Sequence, residues 1–126
     1  MNIWLVLLAA VSSFLVGGLW YSTALFGKLW NSENGGPPKT GHPAKVFGAS
    51  FGFSLLAAFA FAYLLGASPT LESGVKLGAV VGIGLVAASY GINYQFAHRS
   101  FKLWLIDAGY HAAQFLLFGV VFGLWG

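Results

Sequence analysis

Asp107, Tyr110, His111 and Gln114 put an acid, a phenol, an imidazole and an amide inside the otherwise apolar run LIDAGYHAAQF, residues 105–115. At about 100° per residue an α-helix gathers all four within an arc of about 100°. An acid one turn from an imidazole suits two kinds of chemistry: proton exchange near neutral pH, or hydrogen bonding to a small polar solute. A metal centre is not expected. Asp107 and His111 could touch one ion, but two ligands are too few. Nucleophilic catalysis has no support either, because neither Ser54 nor Ser89 sits in a nucleophile elbow. The glycine-rich stretches lie inside apolar runs, so they are not phosphate loops. No enzyme activity and no cofactor are expected, and the absence of cysteine removes thiol chemistry.

These groups must be positioned by membrane-spanning helices. Of the 126 residues, 58% are hydrophobic and only 7% are charged, whereas soluble domains carry about 25% charged residues. A bilayer core needs about 20 apolar residues per helix, which leaves room for four spans and little else. The expected fold is an all-α, antiparallel four-helix transmembrane bundle in one domain, residues 1–126. Its helices are placed at about 2–25, 45–65, 73–96 and 101–125. Pro43 suits the start of the second and Ser100 an N-cap for the fourth. The first apolar run lacks the basic flank of a secretory signal and reads as a retained helix. The first linker, with NSENGGPPKTGHP, is dense in turn formers, and the other two are short.

Charge sets the expected orientation. Lys28, Lys39, Lys45, Arg99 and Lys102 fall at one end of such a bundle and only Lys76 at the other. Short basic loops stay cytoplasmic, so both termini should face away from the cytoplasm. Trp4 and Trp125 then lie near the outer interface, Trp30 and Trp104 near the inner one, with Trp20 about a turn deeper. The scattered basic residues form no stripe for nucleic acid.

With Lys102 at the boundary and about 1.5 Å rise per residue, Asp107 lies about 7.5 Å deep, His111 about 13.5 Å and Gln114 about 18 Å. Ser89 and Asn93 would share a face of the third helix, continued by Gly82 and Gly78. Gly74, Gly78 and Gly82 form a series that permits close helix approach, as do Gly48 and Gly52. Gly17 shares a face with Tyr21. Polar and small residues thus gather in the cytoplasmic half, which implies a pocket open to that side. Its binding candidates are Asp107, His111, Gln114, Asn93, Tyr21, Tyr110 and Ser89. Arg99 and Lys102 stand at the rim, where either could clasp Asp107. The stripe is then either a site or interhelical glue. The first reading makes the protein a binder or conductor of a small solute or protons. The second makes it an accessory or scaffold subunit of a membrane complex. The glycine faces suit a homo-oligomer or a larger assembly in the lipid bilayer.

The segments GGLWYS…LFGKLW and SYGINYQFAHRSFKLWLIDAGYHAAQFLLFGVVFGLWG resemble the small bacterial membrane proteins of the domain of unknown function 1761 family. The resemblance is strongest at Trp20-Tyr21, at Phe26-Gly27-Lys28 with Trp30, at Asn93 and over Arg99–His111. It implies a four-helix integral protein of a bacterial inner membrane. It implies no activity.

Overall fold

The computed structural model describes residues 2–36 and 42–126, so Lys39 and part of the first linker lie outside the described residues. The described chain is all helical. Helix α1 spans Ile3–Trp20, α2 spans Gly27–Glu33, α3 spans Pro43–Leu65, α4 spans Leu71–Phe96 and α5 spans Phe101–Trp125. All but α2 are long and apolar enough to cross a membrane.

Local chemistry sets the helix starts. The Asn2 side chain accepts from Trp4 N at 2.9 Å to cap α1, and Ser100 Oγ accepts from Leu103 N at 3.1 Å to cap α5. Pro43 occupies the first turn of α3, where its missing N–H removes no bond. Thr70 and Ser73 form a reciprocal capping box that starts α4 two residues before the expected Ser73.

Two departures from the sequence reading shape everything downstream. First, α1 stops at Trp20 rather than near Leu25. Tyr21 N still bonds Gly17 O, but Phe26 N then folds back to Trp20 O at 3.0 Å and Gly27 N to Ser22 O at 2.9 Å. Gly27 permits this reversal: a Cβ there would collide with the Tyr21 and Ser22 backbone. The linker residues that follow wind into α2, which brings Trp30 back against α5.

Second, α4 is not a uniform α-helix. Val80–Ala87 is a π-helical stretch in its middle. A π turn holds more residues than an α turn, so it rotates everything that follows around the axis. The inward positions of α4 run Gly74, Gly78, Gly82, then Ala87, a step of five. The inward face continues as Tyr90 and Tyr94. Ser89 and Asn93, expected on that face, are exposed.

Packing centres on α5. Phe61 of α3 is 1% exposed and lies between Phe115, Phe118 and Phe122, with ring centroids 6.0–6.3 Å apart. Val6 and Ala9 of α1 join this core. The α4–α5 contact is closer, at backbone level. A Cβ on Gly74 would strike the Gly119 carbonyl, one on Gly78 would lie 2.6 Å from Phe115 O, and one on Gly82 3.0 Å from Ala112 Cα. On α5, Gly119 and Gly123 complete the seam, the latter against Leu71. Gly48 and Gly52 behave otherwise. Nothing among the described residues lies within 4 Å of a Cβ at either, so they pack no described helix. Residues 42–50 at the start of α3 are exposed, with Phe47 resting edge-on against Phe14 of α1, because α3 meets α4 at Leu71–Ala79 and diverges from the rest of it.

Candidate functional site

Asp107 projects from the first half of α5 into a ring of aromatic donors. Tyr21 Oη donates to its Oδ1 at 2.6 Å and Trp30 Nε1 donates to the same oxygen at 3.0 Å. Tyr94 Oη donates to Oδ2. Three helical elements thus converge on one carboxyl. The chain reversal after Trp20 places Tyr21 and swings Trp30 inward, and the π stretch turns Tyr94 toward α5. Tyr21 and Trp30 meet edge to face, with centroids 6.2 Å apart.

Neither Arg99 nor Lys102, the two rim cations expected to clasp Asp107, is among these donors, and of the other binding candidates only Tyr21 is. Arg99 instead donates to Asn34 Oδ1 and sits over the Tyr94 ring, 5.4 Å from its centroid. Lys102 is exposed and makes no ion pair among the described residues, where the single salt bridge is Lys76–Glu72 at the other end of α4. Neutral donors replace a cation here. Tyrosine and tryptophan reach the carboxyl through apolar rings, so no second charge enters the helix interior.

His111 heads a separate chain one turn further along α5. Its Nδ1 lies 2.9 Å from Gln114 Oε1, so it carries the proton and donates. Its Nε2 is then the acceptor for Tyr90 Oη, 3.0 Å away. The Tyr90 and His111 rings stack with centroids 5.0 Å apart. Tyr110 points the other way and donates to Ser13 O at 3.0 Å. Its ring passes over Gly17, where a Cβ would come within 3.1 Å. Gly17 therefore makes room for a side chain, not for a helix. Ser13 Oγ, fully buried, lies 3.0 Å from Ser54 Oγ and ties α1 to α3.

Where α3 and α4 part, these groups line a groove of about 540 Å³. Its floor is Tyr110, His111, Gln114 and Phe115 of α5, with Phe14 of α1. Its walls include Ser50, Ser54 and Ala57 of α3 and Val86 and Tyr90 of α4. Gln114 is 5% exposed. Among the described residues its amide nitrogen meets no partner. Among the described residues no buried side-chain polar atom is both sealed and unpaired, so that nitrogen keeps a small accessible area on a residue that lines the groove. Asp107 does not line this space.

Asp107, His111, Gln114, Asn93, Tyr21, Tyr110 and Ser89 are expected in one cluster. The structure divides them. Asp107 and Tyr21 belong to the aromatic ring, and His111, Gln114 and Tyr110 to the groove. Ser89 and Asn93 line a shallow cleft with Leu85 and Val86 on the outer side of α4. Trp30, Tyr90 and Tyr94 were not singled out as partners. Tyr90 and Tyr94 carry a readable signal, being four apart in SYGINY, but choosing them over Ser89 and Asn93 requires the π stretch. Trp104 shares the Lys-Leu-Trp pattern with Trp30 yet does different work. Its Nε1 donates to Ala87 O at 2.9 Å, a carbonyl at the end of the π stretch. Trp20 Nε1 likewise donates to Ile106 O at 2.9 Å, and Gly109 gives its ring room.

A family model described as protein of unknown function (DUF1761) matches residues 4–123. No curated protein and no solved structure shows significant similarity to the chain.

Proposed function

We propose that this chain, which belongs to the DUF1761 family, is a multi-pass membrane protein that binds a small molecule in the groove beside His111. The observation that carries this reading is the groove itself: about 540 Å³ lined by a connected Tyr90–His111–Gln114 chain and by aromatic and aliphatic side chains. Ligand sites span about 300–1,000 Å³ and combine an apolar lining with a few convergent polar groups. Asp107 has the role of a clasp. Its three aromatic donors hold α1, α2 and α4 onto α5 and so fix the floor that carries His111 one turn away.

Contacts of Gly74 with Gly119, Gly78 with Phe115 and Gly82 with Ala112 support an antiparallel bundle. The end holding Lys28, Lys45, Arg99 and Lys102 then faces the cytoplasm of a bacterial inner membrane, with both termini on the far side. The groove lies at mid-span, about 13–18 Å from the basic rim by helix rise.

Access to the groove is the test. In lipid nanodiscs, a small neutral nitroxide should broaden the His111 and Gln114 side-chain signals far more than those of Phe118, which is 0% exposed. Broadening of the two groove residues no greater than that of Phe118 would overturn the proposal.

One observation favours a second reading, that of an accessory subunit or homo-oligomer. The Gly48–Gly52 face of α3 meets no atom among the described residues, although Phe47 and Phe51 beside it pack on Phe14 of α1. If a second protein packs there, Gly52→Ile should separate the complex in mild detergent and leave the monomer fold intact.

A further inference from the structure

Resting on the reading of the groove as a binding site, the geometry points to a ligand drawn from the lipid phase: a neutral amphiphile whose carbonyl oxygen accepts from the Gln114 amide. Three features of the groove converge on this class.

The first is its mouth. α3 meets α4 along Leu71–Ala79 and diverges beyond it, so the gap opens sideways between two spans. Phe53, 71% exposed, and Ser50 stand at that opening. A sideways gap at mid-span faces hydrocarbon, so a molecule already dissolved in the bilayer enters without crossing a headgroup layer.

The second is charge. Among the described residues neither a lysine, an arginine nor a carboxylate lines the groove. A charged ligand would lose its hydration there with no countercharge, at a large penalty. A neutral molecule avoids it.

The third is the inventory of hydrogen bonds. Both nitrogens of His111 are engaged, Tyr90 donates to His111 and Tyr110 donates to Ser13. Ser54 is paired with Ser13. What remains is the Gln114 amide nitrogen, a double donor on a side chain 5% exposed, with the Ser50 hydroxyl near the mouth. Donors without acceptors call for an acceptor oxygen on the ligand. The rings of Phe14, Tyr90, Tyr110 and His111 supply flat faces around it, which suits a planar carbonyl head of the quinone type on an apolar tail.

The probe is decyl-ubiquinone, titrated into nanodiscs holding the full chain, with decylbenzene as a carbonyl-free control. The readout is the Gln114 side-chain amide pair, assigned by its loss in Gln114→Leu. The expected result is a saturable downfield shift with the quinone and none with decylbenzene. Gln114→Leu should weaken half-saturation, read at the His111 ring, by about three- to tenfold. Ala57→Phe fills the groove from α3 without touching a polar contact, and it should abolish saturation while the Trp30 indole signal stays in place. Equal responses to both compounds, or a quinone response that never saturates, would overturn the carbonyl assignment; so would quinone binding that survives Ala57→Phe. In all three cases a nitroxide that still reaches Gln114 leaves the binding-site reading standing. If the nitroxide does not reach it, both fall together.

Discussion

Replacing Asp107 removes the acceptor for three donors at once, and the loss can be sized. Hydrogen bonds between membrane helices average about 0.6 kcal/mol and reach about 1.7 kcal/mol. Tyr21, Trp30 and Tyr94 each lose one in Asp107→Ala, so the bundle should lose about 2–5 kcal/mol. Asp107→Asn keeps one acceptor oxygen but turns an amide donor against a phenol or indole donor, and should lose about half as much. Arg99 bonds Asn34 and not Asp107, so Arg99→Gln should change stability by less than about 0.5 kcal/mol. The assay is reversible unfolding in mixed micelles of mild detergent and dodecyl sulfate, followed by tryptophan fluorescence. Trp30 reports from inside the ring. An Asp107→Ala loss no greater than that of Leu105→Ala, a truncation at a residue 49% exposed, would contradict a three-donor clasp. So would an Arg99→Gln loss equal to that of Asp107→Ala, since that pattern belongs to an ion pair.

Other expectations concern packing. Gly119→Ala drives a Cβ into the Gly74 carbonyl and should destabilise the fold by about 1–3 kcal/mol in the same assay, while Gly48→Ala meets open space and should be neutral within about 0.5 kcal/mol. Trp104→Phe leaves the Ala87 carbonyl without its donor. Hydrogen exchange should then rise at Val80–Tyr90 well before it rises in α5. Gly17→Val crowds the Tyr110 ring, so the Tyr110 hydroxyl should detach from Ser13 O. Its hydroxyl proton should exchange faster than in the unaltered chain.

The long spans were legible because length and apolarity alone define them, and the Gly74–Gly82 seam because its period of four is unbroken up to Gly82. Its counterpart on α5, Gly119-Val120-Val121-Phe122-Gly123, has the same spacing, but two glycines in a run of apolar residues carry no signal of their own. Beyond Gly82, a face projected at 100° per residue drifts off by one position, and Ser89 and Asn93 stood in for Tyr90 and Tyr94. A π stretch has no composition that separates VVGIGLVA from ordinary apolar helix. Trp30 was out of reach for a different reason. It lies in what reads as a loop, and its approach to Asp107 depends on the reversal at Tyr21–Gly27, where a single glycine admits a tight backbone contact. Arg99 misled through charge. An acid in a membrane span suggests a nearby cation, yet here rings carrying an O–H or N–H supply the donors.

The division of labour between a clasp at Asp107 and a site at His111 turns on what touches Gln114. Nuclear Overhauser contacts from its side-chain amide protons, recorded on otherwise deuterated protein in nanodiscs, would show this. We expect cross-peaks to protons of acyl chains or of a bound small molecule, alongside those to His111. Cross-peaks to protein protons alone would mean that the groove is closed and the His111 chain is glue like the rest.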